Sequence, residues 1–441
     1  MLFNSLNKLS EIFENINFTN DAPITSFQFD SRLVKAGDVF VALKAERDGH
    51  DFIPSAIEKG AVAALVEDYK PELNIPQFKF ANTWQALELI GQQSRSAFNG
   101  HTIAVTGSCG KTTIKQMLLY ALDNCYATDG NFNGLLGLPI TLAHLDQTAN
   151  NCVLELGTDE IGNINKLTNL AKPDIAIVTT VGPAHLEMFK TISNIVDEKL
   201  SIADGLNDKG IFIIPQEHKA RALELNKPNP YTFSINDDNA YAYIKSVNDN
   251  TVTAIIGDKE VSFELKDTAS HKLSNALIIF ITLEKLGYDL SVIADKVASF
   301  KAPAGRGEQI MLANDVTLFD ESYNANPLSM QKALESFKLL SKNKKIAFLG
   351  DMLELGPDEL ILHKQLANHL NNIDTIYTVG SLMSALNDEL ENKNFDSKHF
   401  SSIEDMLAFL QNIEFNNCDI IVKGSKGSKV SQVVELLKQR G

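Results

Sequence analysis

The nine residues VTGSCGKTT, at 105–113, constrain the fold of this chain more than any other stretch. A short apolar run comes before them, and apolar residues recur after them at helical spacing, at Ile114, Met117 and Leu118. This order predicts a buried strand, a glycine loop and an amphipathic helix. In that context the loop amides, the positive end of the helix dipole and the Lys111 ammonium form a binding site for phosphate oxygens. The stretch therefore predicts a nucleotide-binding α/β domain.

The loop is shorter than the usual phosphate-binding loop. In the common pattern, G-x-x-x-x-G-K-[ST], a glycine stands five residues before the second glycine, and Val105 occupies that position here. Thr112 or Thr113 can supply a hydroxyl to Mg²⁺. The alternative is a plain glycine turn beside a surface lysine, but the flanking strand and helix favour phosphate binding. The predicted nucleotide contacts in this loop are Gly107, Ser108, Cys109, Gly110, Lys111, Thr112 and Thr113.

Strand-like and helix-like segments alternate along the rest of the chain, which predicts an α/β protein with mostly parallel sheets. A length of 441 residues is typical of about three domains. We expect a small N-terminal α/β domain at 1–98, a central P-loop domain with a mostly parallel sheet at 99–307, and a C-terminal Rossmann-like domain at 308–441. The alternation of apolar and polar residues at 231–265 predicts a small antiparallel excursion.

Composition and charge disfavour several classes of protein. A net charge of −16 argues against a nucleic-acid or anionic-membrane surface. The four cysteines form no C-x-x-C pair, which favours reduced thiols over a disulfide framework or a zinc site. The longest apolar run, 277–283, is far shorter than the roughly 18 residues that span a bilayer, and the first residues lack a secretory layout. We expect a cytoplasmic monomer that binds no nucleic acid and does not insert into membranes.

The shortened loop resembles that of the Mur ligase superfamily, T-G-[ST]-x-G-K-[ST]-[ST], whose members join a carboxylate to an amine with ATP. Folate polyglutamate ligases share this loop, so other stretches must indicate the branch. DESYNANP at 320–327, FLGDMLELG at 348–356, and DSR at 30–32 with the segment 36–52 are similar to the branch that adds D-alanyl-D-alanine to UDP-N-acetylmuramoyl-tripeptide. The resemblance implies a bacterial ligase that forms an acyl phosphate and completes the UDP-linked pentapeptide of peptidoglycan synthesis.

The resemblance also implies a catalytic and metal-binding set. It assigns Lys111 to the transferred phosphate, Thr112, Glu155 and His185 to two Mg²⁺ ions, and Lys199 to a carbamate, formed with CO₂, that offers a further oxygen ligand. From the residues alone, a glutamate at the end of the run CVLEL is as consistent with a helix-cap partner as with a metal ligand. Taken alone, His185 and Lys199 would be interpreted as packed or solvated side chains.

Further contacts follow from the same resemblance. For ATP they are Asn275 at the adenine, Arg306 at the γ-phosphate and Asp320 at the ribose. The contacts implied for the sugar nucleotide and its tripeptide are Ser31, Arg32, Arg47, Asp48, Gly49, His50, Asn131, Asn133 and Thr158. Those implied for the dipeptide are Tyr323, Asn324, Asn326, Lys423 and Lys426. The chain departs from the family pattern at Ala45, Gly134, Asn163, Ser201, Lys272 and Lys426.

Two alternatives remain open at this point. One is another amide ligase, of the folate polyglutamate or tripeptide-forming kind, which SYNANP and the N-terminal segments disfavour. The other is a nucleotide switch that hydrolyses ATP or GTP without ligation. The sequence contains no N-K-x-D base-reading motif of the GTPase kind, and a switch does not need three substrate-sized domains.

Overall fold

The chain folds into three domains, each built on its own sheet with helices packed against it. The computed structural model describes residues 1–13, 20–183, 186–265, 268–339 and 343–440. The α/β fold class with three domains is confirmed. The domain limits near 98 and 307 stay predictions. Within the described residues, no helix is long and apolar enough to cross a bilayer.

The N-terminal domain has a four-stranded parallel sheet. Its elements are α1 (Leu6–Ser10), β1 (Ser26–Gln28), β2 (Asp38–Val41), a 3-10 helix (Gly49–Phe52), α2 (Ile53–Glu58), β3 (Ala63–Val66), β4 (Gln77–Lys79) and α3 (Thr83–Ala97). Every residue of β2 and β3 is buried, because helices cover both faces of this small sheet. The loops that follow β1 and β2 leave the same edge of the sheet.

The central domain has a nine-stranded sheet in the order β13-β12-β11-β10-β9-β8-β5-β7-β6. Its strands are β5 (His101–Thr106), β6 (Cys125–Ala127), β7 (Asn151–Glu155), β8 (Ile175–Val178), β9 (Ile211–Pro215), β10 (Tyr231–Ser234), β11 (Ala242–Asn248), β12 (Thr251–Ile256) and β13 (Lys259–Glu264). Its helices are α4 (Lys111–Ala121), α5 (Gly137–Ala143), α6 (Asn163–Ala171), α7 (Leu186–Phe189), α8 (Ile192–Leu200), α9 (Lys219–Glu224), α10 (Ser270–Lys285) and α11 (Leu290–Ser299), with 3-10 helices at Ser201–Gly205 and Gln216–His218.

The antiparallel excursion is smaller than the sequence predicts. Strands β11, β12 and β13 pair antiparallel, but β10 pairs parallel with both β9 and β11. Helix α9 lies between β9 and β10 in the chain, and such a crossover returns the chain in the same direction. Alternating residues identify a half-buried strand without giving its direction, which explains the error.

The C-terminal domain has a six-stranded sheet in the order β14-β15-β19-β16-β17-β18, parallel except for β14. Its strands are β14 (Glu308–Leu312), β15 (Val316–Glu321), β16 (Lys344–Gly350), β17 (Thr375–Val379), β18 (Ser397–Phe400) and β19 (Cys418–Lys423). Its helices are α12 (Pro327–Leu339), α13 (Glu359–Gln365), α14 (Met383–Asn392), α15 (Ile403–Leu410) and α16 (Ser431–Arg440), with 3-10 helices at Gly356–Asp358, Leu366–His369 and Lys426–Ser428. Strand β19 lies between β15 and β16, so the loops after these three strands meet at one edge.

Three adjacent strands position the candidate site of the central domain. Strand β5 pairs with β7 on one side and β8 on the other, all parallel. Their carboxyl ends therefore bring together the glycine loop, Glu155 and the segment that begins at Thr179. Open α/β sheets bind their ligands at this edge.

Candidate functional site

The glycine loop fits tightly against the segment that follows β8. A Cβ at Gly107, whose φ is +145°, would lie 2.0 Å from the Thr179 hydroxyl. The Thr179 hydroxyl lies within hydrogen-bond distance of the carbonyls of Cys109 and Thr106, and the Ser108 amide donates to the carbonyl of Thr180 at 2.7 Å. Any side chain at position 107 would push the loop away from this support. These contacts hold the loop against the segment that follows β8.

Lys111 is the first residue of α4, directly after Gly110, whose φ of +88° suits glycine. Its ammonium donates to the carbonyl of Gly107 at 2.6 Å, so the side chain folds back over the loop. Burial lowers the pKa of Lys111, although the carboxylate of Glu155 opposes that shift. A lysine held over loop amides is the arrangement that contacts phosphate oxygens.

Glu155 ends β7 and is almost fully buried, yet both of its carboxylate oxygens have partners. The Thr112 hydroxyl donates to Oε2 and the Asn133 amide to Oε1, each at 2.9 Å, and the Lys115 ammonium lies 3.4 Å from Oε2. Burial acts to raise the pKa of Glu155, but Lys111, Lys115 and these hydrogen bonds outweigh it and hold the pKa below its usual range. The carboxylate is therefore charged at neutral pH.

The predicted metal ligands lie close together in part. Thr112 and Glu155 offer two oxygen donors side by side, and hard oxygen donors are the ligands that Mg²⁺ prefers. His185 lies outside the described residues. Among the described residues, no group of three or more histidine, cysteine, aspartate or glutamate side chains is arranged to hold a metal ion. Thr112 and Glu155 thus offer Mg²⁺ a pair of oxygen donors, and a complete coordination shell would need further oxygen ligands.

Lys199 lies in α8 and is buried. Burial, together with the neighbouring charge of Lys111, lowers its pKa to about 7, although the carboxylates of Glu198 and Asp159 oppose this shift. At neutral pH this side chain is therefore a neutral amine in a large fraction of molecules. It lines a small cavity together with Gly107, Ser108, Lys111, Thr158, Phe189 and Ile195.

Two of the residues that depart from the family pattern, Ser201 and Asn163, lie close to Glu198, the neighbour of Lys199 in α8. Ser201 donates its hydroxyl to the carbonyl of Glu198. The carboxylate of Glu198 accepts from the amides of Gly162 and Ile164, each at 2.7 Å, at the start of α6. A carboxylate at a helix N-terminus is stabilised by the helix dipole. Asn163, which departs from the family pattern, is the first residue of that helix, whose N-terminal amides bond to Glu198.

Of the residues predicted to contact the adenine and ribose of ATP, Asn275 lies beside the glycine loop. Asn275 of α10 is buried, and its side-chain oxygen would lie 3.4 Å from a Cβ at Gly110. Asp320 is also buried; its carboxylate accepts from the amides of Gly305 and Ser322 and so fixes the turn before Arg306. This carboxylate is already engaged by the backbone.

The predicted sugar-nucleotide residues lie on the two loops that leave β1 and β2. Ser31 is half-buried, and the exposed Arg32 forms a forked ion pair with Asp30. Arg47 is exposed on the second loop. Arginines at a sheet edge suit a diphosphate, but Arg32 would have to exchange its carboxylate partner for one.

Three of these candidates, Asp48, Gly49 and His50, stabilise the loop after β2 through contacts within the protein. The amide and Nδ1 of His50 both contact the Asp48 carboxylate, and its Nε2 accepts from the Glu67 amide at 2.9 Å. A Cβ at Gly49 would lie 2.6 Å from the backbone of Leu43. His50 is buried, so its ring supports the loop from inside.

Residues 128–134, which we call the substrate loop, lie between the N-terminal domain and Glu155. Asn131 is exposed, and Asn133 donates to Glu155. The ring of Phe132 packs edge-on against that of Phe29, next to the predicted Ser31 and Arg32. A Cβ at Gly134 would meet no neighbouring atom within 4 Å, so this departure follows from no steric need.

Thr158 lies in a tight turn and forms hydrogen bonds with both the amide and the carbonyl of Glu160. It lines the same small cavity as Lys199. The structure thus places a predicted tripeptide contact beside a predicted metal-binding group. Both stay predictions as site residues.

The C-terminal domain reaches the glycine loop through Asn326. Its side-chain nitrogen lies 3.5 Å from the carbonyl of Ser108 and 3.3 Å from the sulfur of Cys109. Lys423 is buried at the end of β19 and donates to the carbonyl of Asn324 at 3.1 Å, whereas Lys426 is exposed. The loop 322–326 therefore faces the glycine loop.

Two sets of residues escaped the sequence prediction. One is Lys115, which is buried. Its burial could have been predicted, because it stands in the apolar stripe of α4, one turn after Lys111. Thr179 and Thr180 support the glycine loop, and the signal was a polar pair directly after a buried strand. Parallel strands end at a common edge, so such a pair lies near the other loops.

Comparison with known proteins is consistent with this arrangement. Three family models match the chain: the Mur ligase family catalytic domain at residues 23–87, the Mur ligase middle domain at 105–283, and the Mur ligase glutamate ligase domain at 305–427. The UDP-N-acetylmuramoyl-tripeptide--D-alanyl-D-alanine ligase of Rickettsia prowazekii is 31% identical, and the match covers 99% of each chain.

Solved structures are similar over the same length. A crystal structure of MurF from Acinetobacter baumannii has a TM-score of 0.86 with 26% identity over 98% of both chains. A structure of MurF ligase from Thermotoga maritima in complex with ADP has a TM-score of 0.83 with 26% identity and covers 94% of this chain and 98% of that one.

Proposed function

This chain belongs to the Mur ligase family, and we propose that it joins D-alanyl-D-alanine to UDP-N-acetylmuramoyl-tripeptide with ATP, forming the UDP-linked pentapeptide of peptidoglycan synthesis. The relatives named for this reaction match nearly the whole chain. ADP bound to the structure from Thermotoga maritima supports ATP as the nucleotide.

The observation that carries the proposal is the meeting of four elements at one edge of the central sheet. Lys111 over the glycine loop would provide a phosphate site, and the paired Thr112 and Glu155 would provide oxygen ligands for a metal ion. Lys199 borders the same loop, and Asn326 brings the DESYNANP stretch to it from the C-terminal domain. A nucleotide switch would not need the last of these elements.

The proposed reaction has two steps. The terminal carboxylate of the tripeptide attacks the γ-phosphorus of ATP, ADP leaves, and an acyl phosphate forms. The amine of D-alanyl-D-alanine then attacks the acyl carbon, inorganic phosphate leaves, and the amine gives up a proton as the amide forms. Such transfers depend mainly on positioning and on cations that offset the developing negative charge. Lys111 and Arg306 are the proposed protein cations.

The proposed Mg²⁺ would be held by Thr112 and Glu155, and it would supply charge neutralisation at the phosphate oxygens. For a second ion we propose that Lys199 reacts with CO₂. Only a neutral amine is nucleophilic enough for this reaction, and burial supplies it by lowering the pKa of Lys199 to about 7. The amine adds to CO₂ and loses a proton, and the resulting carbamate offers an anionic oxygen donor, the kind of ligand that Mg²⁺ prefers. We propose His185 as a further ligand.

We also propose that each domain contributes one ligand site. The loops after β1 and β2 would hold the uridine diphosphate, the glycine loop would hold ATP, and the loop 322–326 with Lys423 and Lys426 would hold the dipeptide. We propose that the enzyme acts as a monomer. Both nucleotide substrates are cytoplasmic metabolites, which supports a cytoplasmic enzyme.

The deciding experiment is mass spectrometry of a reaction that contains ATP, Mg²⁺, UDP-N-acetylmuramoyl-tripeptide and D-alanyl-D-alanine. We expect the pentapeptide product together with ADP and phosphate. A parallel reaction without the dipeptide should yield no amide product. ATP hydrolysis with no amide product under any combination of substrates would overturn the proposal.

A further inference from the structure

Lys115 places a charged ammonium inside the central domain, where only 1% of its surface is exposed. The ammonium donates to the carbonyl of Thr128 at 2.8 Å and to that of Gly130 at 3.3 Å, and lies 3.4 Å from Glu155 Oε2. Burying a lysine costs several kcal/mol unless its donors find partners. Two of its three partners are carbonyl oxygens of the substrate loop. This loop therefore supplies most of the hydrogen-bond acceptors for the buried ammonium.

The substrate loop has little structure of its own. The amides of Phe132 and Asn133 bond within the loop, to the carbonyls of Asp129 and Asn131. Its remaining contacts go to other elements. Asn133 bonds through its side chain to Glu155 and through its carbonyl to the amide of Gly157 at 2.8 Å. A loop with so few internal bonds depends on these outside anchors for its position.

Lys115 connects this loop to the phosphate site through a rigid element. It lies on α4, one turn after Lys111, so both ammonium groups are carried by the same helix. Glu155 is the point where the two regions meet, because Thr112 contacts one carboxylate oxygen and Asn133 contacts the other. Next to Asn133, the ring of Phe132 touches that of Phe29 in the N-terminal domain.

We propose that Lys115 is a positioning residue for the ligation: it fixes the substrate loop against Glu155, so that Asn131 and Asn133 hold the sugar-nucleotide substrate in register with the phosphate site. This inference rests on the proposed function. Lys115 is not a catalytic residue, because its buried ammonium has no access to substrate. Its effect on the reaction passes through the loop.

The first test needs no substrate. Lys115→Met keeps the length of the side chain but removes the donors, so the carbonyls of Thr128 and Gly130 lose their partner. Hydrogen exchange followed by mass spectrometry should show the amides of 128–134 exchanging about tenfold or more faster than in the unchanged protein. Unchanged exchange in that segment would overturn the proposal.

The chain offers a matched control. Lys345 is another buried lysine whose ammonium donates to a backbone carbonyl, that of Lys338 at 2.8 Å, but it lies in the C-terminal domain. Lys345→Met should leave exchange in 128–134 unchanged. Faster exchange there in both variants would mean a general loss of stability and would contradict a specific role for Lys115.

The second test separates positioning from stability by kinetics. Lys115→Met should raise KM for UDP-N-acetylmuramoyl-tripeptide about tenfold or more, with KM for ATP changed by less than about threefold. Equal changes in the two constants, or no change in either, would overturn the inference. If the unchanged protein forms no product, the proposed function fails, and the exchange experiment still decides whether Lys115 fixes the substrate loop. If Lys115→Met does not fold, both measurements pass to Lys115→Gln, which keeps one short donor.

Discussion

The guanidinium of Arg306 lies over the aromatic ring of Tyr323, with its central carbon 3.8 Å from the ring centroid. The backbone holds the two residues together, because the Tyr323 amide donates to the carbonyl of Gly305 at 3.1 Å. The family resemblance assigns these side chains to different ligands, Arg306 to the γ-phosphate and Tyr323 to the dipeptide. Because the two side chains stack, the ring of Tyr323 helps to hold the guanidinium of Arg306 in position.

We therefore expect Tyr323→Leu to lower kcat by about 3- to 30-fold, since a cation–π contact is worth about 0.5–2 kcal/mol. Tyr323→Phe keeps the ring and should retain near-normal kcat. Steady-state kinetics with ATP and D-alanyl-D-alanine would measure both variants. If Tyr323→Phe loses as much activity as Tyr323→Leu and mainly raises KM for the dipeptide, the hydroxyl is the working group and the stacking prediction is wrong.

Lys111→Ala should lower turnover by about 10²–10³-fold or more, because it removes a cation aimed at the charge that develops on the transferred phosphate. ADP release measured at saturating substrates would give the effect. Lys166→Ala, at an exposed lysine of α6, is the control for removing a positive charge and should leave turnover nearly unchanged. Near-normal turnover in Lys111→Ala would contradict the assignment of the glycine loop.

The sequence identified the main parts of the fold because each left a local signal. Buried parallel strands such as β5 and β8 are short continuous apolar runs, and the glycine loop sits between a strand and a helix. The direction of β10 left no such signal, because it depends on the crossover through α9. Topology of this kind follows from packing and connection rather than from the pattern of one strand.

The site was harder to predict, because motif residues also bond to each other. His50 belongs to a substrate-like motif, yet its ring is engaged by Asp48 and the backbone of Glu67. Lys115 belongs to no motif that we used, yet it joins α4 to the substrate loop. Glu67 and Thr128 lie more than ten residues away in the chain from His50 and Lys115, and such partners meet only through tertiary structure, so composition and spacing could not indicate them.

Activity should depend on CO₂ if Lys199 becomes a carbamate. Because the pKa of Lys199 is lowered to about 7, its amine is mostly neutral above that pH and mostly protonated below it. We expect activity in CO₂-depleted buffer to fall and to return with bicarbonate, and the bicarbonate requirement to grow as pH drops below about 7. Labelling with ¹³C-bicarbonate and NMR should show a carbamate signal that Lys199→Ala lacks. Full activity without CO₂ would contradict the carbamate.

The contact between His144 and β1 predicts that the docking of the N-terminal domain weakens in acid. His144 follows α5 in the central domain, and its Nε2 accepts from the amide of Phe27 at 2.9 Å and lies 3.1 Å from the hydroxyl of Ser26. Burial lowers the pKa of His144, and the nearby carboxylates of Asp38 and Asp129 only partly oppose this. A protonated ring could no longer accept the Phe27 amide.

The sign of the effect follows from the lowered pKa. An unfolded histidine titrates near pH 6.5, so between that pH and the lower pKa of the folded state the unfolded chain binds more protons, and stability falls as pH falls. Above about pH 6.5 this contribution is complete and constant.

We expect His144→Gln, which keeps a side-chain acceptor but cannot titrate, to lose less stability than the unchanged protein between pH 7 and pH 5. The difference should be about 1 kcal/mol, the size of one hydrogen bond. Thermal unfolding of both proteins across this range isolates His144, because every other group titrates equally in the two. Parallel pH profiles would show that the Phe27 contact does not depend on the charge of this ring.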